Sequence, residues 1–65
     1  MDIEVLGRLR DLNKMENGQG WMFKKYANPL ADLGYLSILE DSPETPSCVV
    51  LITDSGRDFV KQNPE

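Results

Sequence analysis

The N-terminal quarter of the chain carries apolar residues at helical spacing. Val5, Leu9 and Leu12 recur at i, i+4 and i+7, a stripe typical of an amphipathic helix that buries one face. Charged residues occupy the opposite side. The pattern predicts a helix from Asp2 to about Glu16, ended by the Asn-Gly-Gln-Gly sequence of residues 17–20, because asparagine and glycine accept the left-handed backbone found at helix ends.

A second helical pattern runs over residues 21–33, and it contains a proline. Its apolar face comprises Met22, Phe23, Tyr26, Leu30 and Leu33. A proline inside a helix removes a hydrogen bond and costs about 3 kcal/mol or more, whereas the first helical position tolerates it. We therefore predict two short helices, 21–27 and 29–33, with Asn28 as the N-cap before Pro29 and Gly34 closing the second helix.

Beyond Gly34 the pattern changes to two short runs rich in β-branched and aromatic residues. Residues 35–40 and 48–53 form these runs, and a polar loop with two prolines separates them. Such runs around a polar loop predict a β-hairpin. Because an isolated hairpin is only marginally stable in water, one of its faces is expected to lie on the helices.

The second strand is followed by a polar Thr-Asp-Ser-Gly break and then by a Phe-Val pair. Thr53 or Ser55 can cap the start of a helix, and Ser55 with Asp58 fits a variant of the capping box. Gly56 shares a helical face with Phe59 and Val60. A glycine at that position would let the last helix approach the hairpin closely, so the break predicts a corner from strand to helix.

The order of these elements resembles the tail of winged helix-turn-helix proteins. The resemblance rests on Leu30 to Leu36, on the hairpin, and on the Leu-Ile-Thr-Asp-Ser-Gly sequence of residues 51–56, which is similar to the tail of the MarR and PadR groups of transcriptional regulators. It implies an α+β fold: a small winged-helix domain in which helices precede a two-stranded hairpin, the wing, and a C-terminal helix. In that family the helix before the wing lies in the DNA major groove.

Length and composition restrict the classes of function. The 65 residues have room for one domain, residues 1–65, with a core of marginal size. A single cysteine and no histidine leave no internal disulfide and no zinc site. We find no catalytic motif and expect no enzyme, no cofactor and no metal. The sequence has neither a signal-peptide pattern nor a membrane-spanning run, so we expect a cytoplasmic protein that does not bind membranes.

Charge is distributed unevenly along the chain. Residues 1–28 hold five basic and four acidic residues, a net charge of +1, whereas residues 29–65 hold two basic and seven acidic residues, a net charge of −5. Binding to the DNA backbone depends on Lys and Arg that replace counterions. Any contact with nucleic acid is therefore expected in the N-terminal half, and the predicted wing, residues 42–47, carries Glu44 but no basic residue.

One set of residues is a candidate contact patch on the helical projection of 21–33. It lies opposite the apolar face and includes Trp21, Lys24, Lys25 and Asn28. Lysine neutralises phosphate, asparagine can pair with adenine, and tryptophan anchors interfaces. In the alternative, Trp21 packs in the core, the lysines are solvated and Asn28 is a cap. We favour this alternative, because so small a domain rarely leaves its only tryptophan outside the core.

Two functions from different classes follow. The first is a winged-helix protein that binds double-stranded DNA as a transcriptional regulator and acts as a homodimer, because one such domain reads few bases. The second is a protein-interaction module, a small inhibitor or adaptor of the kind that mobile elements encode. Its acidic surface would bind a protein partner and no nucleic acid. The resemblance favours the first, whereas the acidic C-terminal half favours the second.

Overall fold

The computed structural model describes residues 2–64 and contains both helices and a sheet. In chain order the elements are α1 (Ile3–Lys14), β1 (Gln19–Phe23), α2 (Lys24–Asp32), β2 (Leu36–Asp41), β3 (Ser47–Ile52) and α3 (Asp54–Gln62). The strands form one antiparallel sheet in the order β1-β3-β2. The predicted α+β class is confirmed, but the sheet of the described residues has three strands and not the two of the predicted hairpin.

Helix α1 forms where the apolar stripe predicts it. The Asp2 carboxylate caps its start and accepts a hydrogen bond from the Glu4 N–H at 2.8 Å, which satisfies one of the unpaired donors of the first turn. Leu9 and Leu12 are buried. After the helix, Gly18 has a φ of 65°, in the left-handed region that the predicted breaker sequence supplies.

The predicted helix over residues 21–27 is wrong, because its first part is strand β1. Residues 19–23 pair along β3 from Gln19 opposite Leu51 to Phe23 opposite Ser47. The ladder with β3 satisfies backbone groups that a helix would otherwise have to satisfy, so tertiary pairing overrides the local pattern. Phe23, assigned to the apolar helical face, is half exposed as a result.

The predicted break before Pro29 is also wrong. Helix α2 runs through Pro29, and Phe23 rather than Asn28 is its N-cap. The proline leaves the Lys25 carbonyl without its usual helical donor, but Tyr26, Ala27 and Leu30 are buried in the core. Their burial holds the helix together across the proline. Gly34 closes the helix as predicted, with a φ of 81° and an N–H donated to the Ala31 carbonyl.

The strands β2 and β3 confirm the predicted hairpin positions within a residue or so, and β3 lies at the centre of the sheet. Leu36, Cys48, Val50 and Ile52 belong to the buried cluster that also holds residues of α1 and α2. Phe59 and Val60 of α3 are partly buried against the same cluster, so all three helices pack toward one side of the sheet. The pairing of β2 with β3 is irregular between Ile38 and Glu40, and the extra residue there is Leu39.

The corner from β3 to α3 forms as predicted, with Thr53 rather than Ser55 as its cap. The Thr53 hydroxyl accepts a hydrogen bond from the Gly56 N–H at 3.1 Å and donates one to the Gly34 carbonyl at 2.6 Å. Ser55 lies inside the helix, so the predicted capping box does not form. Gly56 is buried, and a Cβ atom there would overlap the Tyr35 carbonyl oxygen. The close approach predicted for this glycine is confirmed.

Gly56→Ala tests this close approach. Alanine normally stabilises a helix interior relative to glycine, but here its methyl group has no space beside the Tyr35 backbone. We expect the free energy of unfolding to fall by about 1–3 kcal/mol, the usual cost of overpacking, measured by urea unfolding. The matched control is Gly7→Ala in α1, where nothing lies within 4 Å and a gain of about 0.5–1 kcal/mol is expected. Equal stabilisation by both changes would contradict the packing described.

Thr53→Ala tests the corner hydrogen bonds. The change removes both the cap of α3 and the bond to the Gly34 carbonyl, so we expect a loss of about 1–2 kcal/mol in the free energy of unfolding. Thr53→Ser keeps the hydroxyl and should retain most of that stability. Thermal unfolding followed by circular dichroism measures both variants, and a serine variant as unstable as the alanine variant would show that the hydroxyl is not the cause.

Candidate functional site

The side of the sheet opposite the helices carries an apolar surface. In β3, Cys48, Val50 and Ile52 point to the core, so the strand alternation places Val49 and Leu51 on the other side. In β1, Met22 is buried, and Trp21 and Phe23 therefore lie with Val49. We call this surface the outer sheet face and define it by its apolar residues Trp21, Phe23, Leu39, Val49 and Leu51.

Trp21 dominates the outer sheet face. Its side chain is 72% exposed, and Leu39 is 48% exposed, whereas Val49 between them is only 9% exposed. Trp21 is paired with Val49, which is paired in turn with Glu40. These residues line one shallow depression across the three strands. Asn17, Gln19 and Glu40 also line the depression, so exposed apolar side chains lie here beside polar ones, an arrangement found at sites of interaction.

A groove runs beside the free edge of β1, between that strand and α1. Its volume is about 380 Å³. The residues that line it are mostly apolar and include Leu12, Met15, Trp21, Met22 and Phe23. Arg8 and Asp11 stand at its rim with 3.9 Å between guanidinium and carboxylate. Trp21 lines both this β1–α1 groove and the depression, so it connects the edge of the sheet with the outer sheet face.

The structure places Trp21 outside the core, so our preference for a packed tryptophan is wrong. The reason is the strand: alternation gives the inward position to Met22 and the outward one to its neighbours. In a helix over the same residues, Trp21 could have reached α1 or α3. The interpretation that exposes Trp21 agrees with the structure, although the predicted single helical face does not exist.

The other three candidate contact residues lie on α2. The Lys24 ammonium is 2.6 Å from the Asp41 carboxylate and donates a hydrogen bond to the Ser42 carbonyl, so it joins α2 to the loop between β2 and β3. Lys25 is exposed, with its ammonium 5.1 Å from the centre of the Tyr26 ring. Asn28 is exposed in the middle of α2. Lys24 is therefore engaged with a carboxylate of the chain, whereas Lys25 and Asn28 are exposed.

Leu39 and Val49 are the functional residues that sequence reasoning missed. A signal for Trp21 and Phe23 does exist, because residues 19–23 form a short uncharged run with two aromatic residues directly after an Asn-Gly sequence, and such runs are typical of strands. Leu39 had no comparable signal. It is exposed at an irregularity of the β2–β3 pairing, and a bulge depends on the register of two strands, which the sequence does not state.

Cys48 lies on the inner side of the sheet and is not part of this surface. Its thiol is buried, and its sulfur is 3.7 Å from the Met22 carbonyl oxygen. Burial raises the pKa of the Cys48 thiol above its usual value, and the negative charge of Asp41 adds to the effect while Lys24 opposes it. A thiol with a raised pKa is a poor nucleophile at neutral pH.

Within residues 2–64, no group of three or more Cys, Asp or Glu side chains is placed to hold a metal ion. No helix in the same range has the length and apolar character needed to cross a membrane.

Comparison with known proteins adds no relative. No protein-family model, no curated protein and no solved structure matches the chain. The resemblance to winged-helix regulators stays a prediction that rests on the motif residues between Leu30 and Gly56.

The fluorescence of Trp21 measures the exposure of the outer sheet face. Because the chain has a single tryptophan, all emission at long excitation wavelength comes from this residue. In dilute solution we expect red-shifted emission and quenching by acrylamide at a rate close to that of the urea-unfolded protein. A blue-shifted emission that acrylamide quenches weakly would place the ring in the core and contradict the described surface.

Proposed function

We propose that this protein is an interaction module that binds a protein partner on its outer sheet face. The observation that carries the proposal is the exposure of Trp21 beside Leu39, above the shielded Val49. Tryptophan is among the residues that contribute most to protein interfaces when a ring of other contacts excludes water around it. The depression across the three strands supplies such surroundings for one apolar group of a partner.

Trp21 supplies a large part of the energy that a complex on this surface needs. A tryptophan buries about 150–250 Å² in an interface, so covering the exposed part of Trp21 is worth about 3–4 kcal/mol. Leu39 and Phe23 add to this amount. Part of the gain is lost to the entropy of association, so the full face has to be covered to give stable binding.

The charges around the outer sheet face indicate what the partner carries. Glu40 lines the depression beside Trp21, Glu44 lies in the wing, and no Lys or Arg occurs among residues 42–47. The charge of Asp41 is balanced by Lys24, but no Lys or Arg among the described residues forms a salt bridge with Glu40. Opposite charges at the rim of an interface favour association and select partners. We therefore propose a partner segment with an aromatic or aliphatic residue flanked by Lys or Arg.

DNA binding is a second proposal, and a different surface supports it. Helix α2 precedes the β2–β3 hairpin, as the helix before the wing does in the winged-helix resemblance, and it exposes Lys25 and Asn28. Two features argue against DNA binding: Lys24 is engaged by Asp41, and the predicted wing is acidic. A phosphate backbone requires several cations, and α2 offers one that is not engaged with a carboxylate. We place the protein partner first for this reason.

Selection from a displayed random-peptide library tests the first proposal. With the wild-type protein in dilute solution, we expect enrichment of peptides that combine an aromatic or aliphatic residue with Lys or Arg. Binding of a selected peptide should fall at least about tenfold in Leu39→Lys, which places a charge on the outer sheet face. The matched control is Ile3→Lys, since Ile3 is an exposed apolar residue of α1, and it should bind like the wild type.

The result that would overturn the first proposal is equally specific. If no peptide is enriched, or if Leu39→Lys binds as well as Ile3→Lys, the outer sheet face is not the binding surface. An NMR titration with a generic DNA duplex at low salt completes the test. Chemical-shift changes centred on Lys25 and Asn28, with none on β1 or β3, would favour the DNA proposal.

A further inference from the structure

We infer that two copies of the chain pair through the free edge of β1, antiparallel, with Trp21 of each copy opposite Trp21 of the other. This inference does not depend on the proposed partner, although both surfaces include Trp21 and Phe23. It rests on the backbone groups at the edge of the sheet, whereas the partner proposal rests on the side chains of the outer sheet face. It follows from three features of β1: the absence of charges and prolines, the direction of its backbone groups and the two-fold symmetry of an antiparallel register centred on Trp21.

The two edges of the sheet differ in protection. Exposed edge strands usually carry charges, prolines or bulges that prevent pairing with another chain. The β2 edge has a bulge at Leu39 and two acidic residues, Glu40 and Asp41. The β1 edge, residues 19–23, has no charge and no proline, and its register with β3 is unbroken. Of the two edges, only β1 is free to accept a strand.

The backbone of β1 directs hydrogen-bonding groups to this edge. The Gly18 carbonyl accepts from the Ile52 N–H, and the Lys24 N–H donates to the Pro46 carbonyl. Along an antiparallel ladder, hydrogen-bonded residue pairs alternate with pairs that are not hydrogen-bonded. Gly20 and Met22, which lie between Gly18 and Lys24 at steps of two residues, therefore also form hydrogen bonds with β3. The N–H and C=O of Gln19 and Trp21, together with the Phe23 N–H, therefore point away from the sheet.

A register centred on Trp21 uses these groups symmetrically. Two antiparallel copies then exchange N–H···O bonds between their Trp21 residues, and each Phe23 N–H donates to the Gln19 carbonyl of the second copy. The opposed pairs are Trp with Trp, Gly20 with Met22 and Gln19 with Phe23, none of which brings like charges together. A two-fold interface of this kind closes on itself, so association stops at a dimer.

The size of the contact indicates a weak dimer. A stable interface buries about 800 Å² per partner. An aromatic side chain buries at most about 250 Å², so Trp21 and Phe23 together supply less area than a stable interface needs. The side chain of Met15 at the β1–α1 groove adds to the contact. The pairing is therefore reversible and depends on protein concentration, and Trp21 reports it, because a second copy would cover part of its exposed ring.

Sedimentation equilibrium up to about 1 mM protein tests the dimer with a matched pair of variants. We expect reversible dimerisation of the wild type. Trp21→Lys places two ammonium groups opposite each other at the two-fold axis, so association should weaken at least about tenfold. Leu39→Lys adds the same charge to the same side of the sheet but away from β1, and it should dimerise like the wild type. Circular dichroism verifies that both variants fold.

Amide hydrogen exchange provides a second measurement. In the wild type, the N–H groups of Trp21 and Phe23 should become more protected as concentration rises, whereas the Gln19 N–H should not. Phe23→Pro removes one of these donors at a position whose φ of −62° suits proline. It should weaken the dimer, and Phe23→Ala, which keeps the N–H, measures how much of that loss comes from the ring.

The outcomes separate this inference from the proposed function. A wild type that stays monomeric throughout the concentration range overturns the dimer and leaves the peptide-binding proposal untouched. Loss of dimerisation in Leu39→Lys as well as in Trp21→Lys indicates stacking of two outer sheet faces and also overturns edge pairing. Loss of peptide binding in Leu39→Lys with dimerisation intact supports both proposals, because peptide binding then depends on Leu39 and dimerisation does not.

Discussion

The pairing of β3 with strands on both of its sides is the constraint on which the rest of the structure depends. A chain of 65 residues can bury little, and the inward residues of this strand, above all Val50, provide the part of the sheet that the helices cover. Because β3 pairs with both neighbours, its backbone groups are satisfied inside the sheet. The two outer strands have one free edge each, and the helices all lie on one side.

The one-sided arrangement explains why an apolar surface is left exposed. Three short helices cover one face of the sheet, and the chain has no further element among its described residues to cover the other. Val49 is nevertheless shielded, since Trp21 and Leu39 stand on either side of it. Exposed apolar side chains lower the solubility of a protein unless a partner covers them, which is why we connect the exposed tryptophan with binding.

The acidic β2–β3 loop and the uncharged β1 edge differ in charge. Lys24 links the start of α2 to the start of this loop through Asp41 and Ser42, so its charge supports the fold and is not available to a ligand. Glu40, near Trp21, is the reason that we propose a basic partner. The β1 edge carries no charge, and this is one reason that we infer pairing with a second copy there.

The sequence by itself determined the elements whose signals are local: α1 from its apolar stripe, the left-handed Gly34, the hairpin strands, and the corner at Thr53 and Gly56. Only the tertiary structure decided the identity of residues 19–23 and the path of the chain through Pro29. A five-residue strand becomes stable only when β3 supplies its hydrogen bonds, and a proline is tolerated in a helix only when burial of its neighbours outweighs the lost bond. The exposed position of Trp21 depended on the formation of the strand over residues 19–23, because the register of a strand sets the side of the sheet on which each of its residues points.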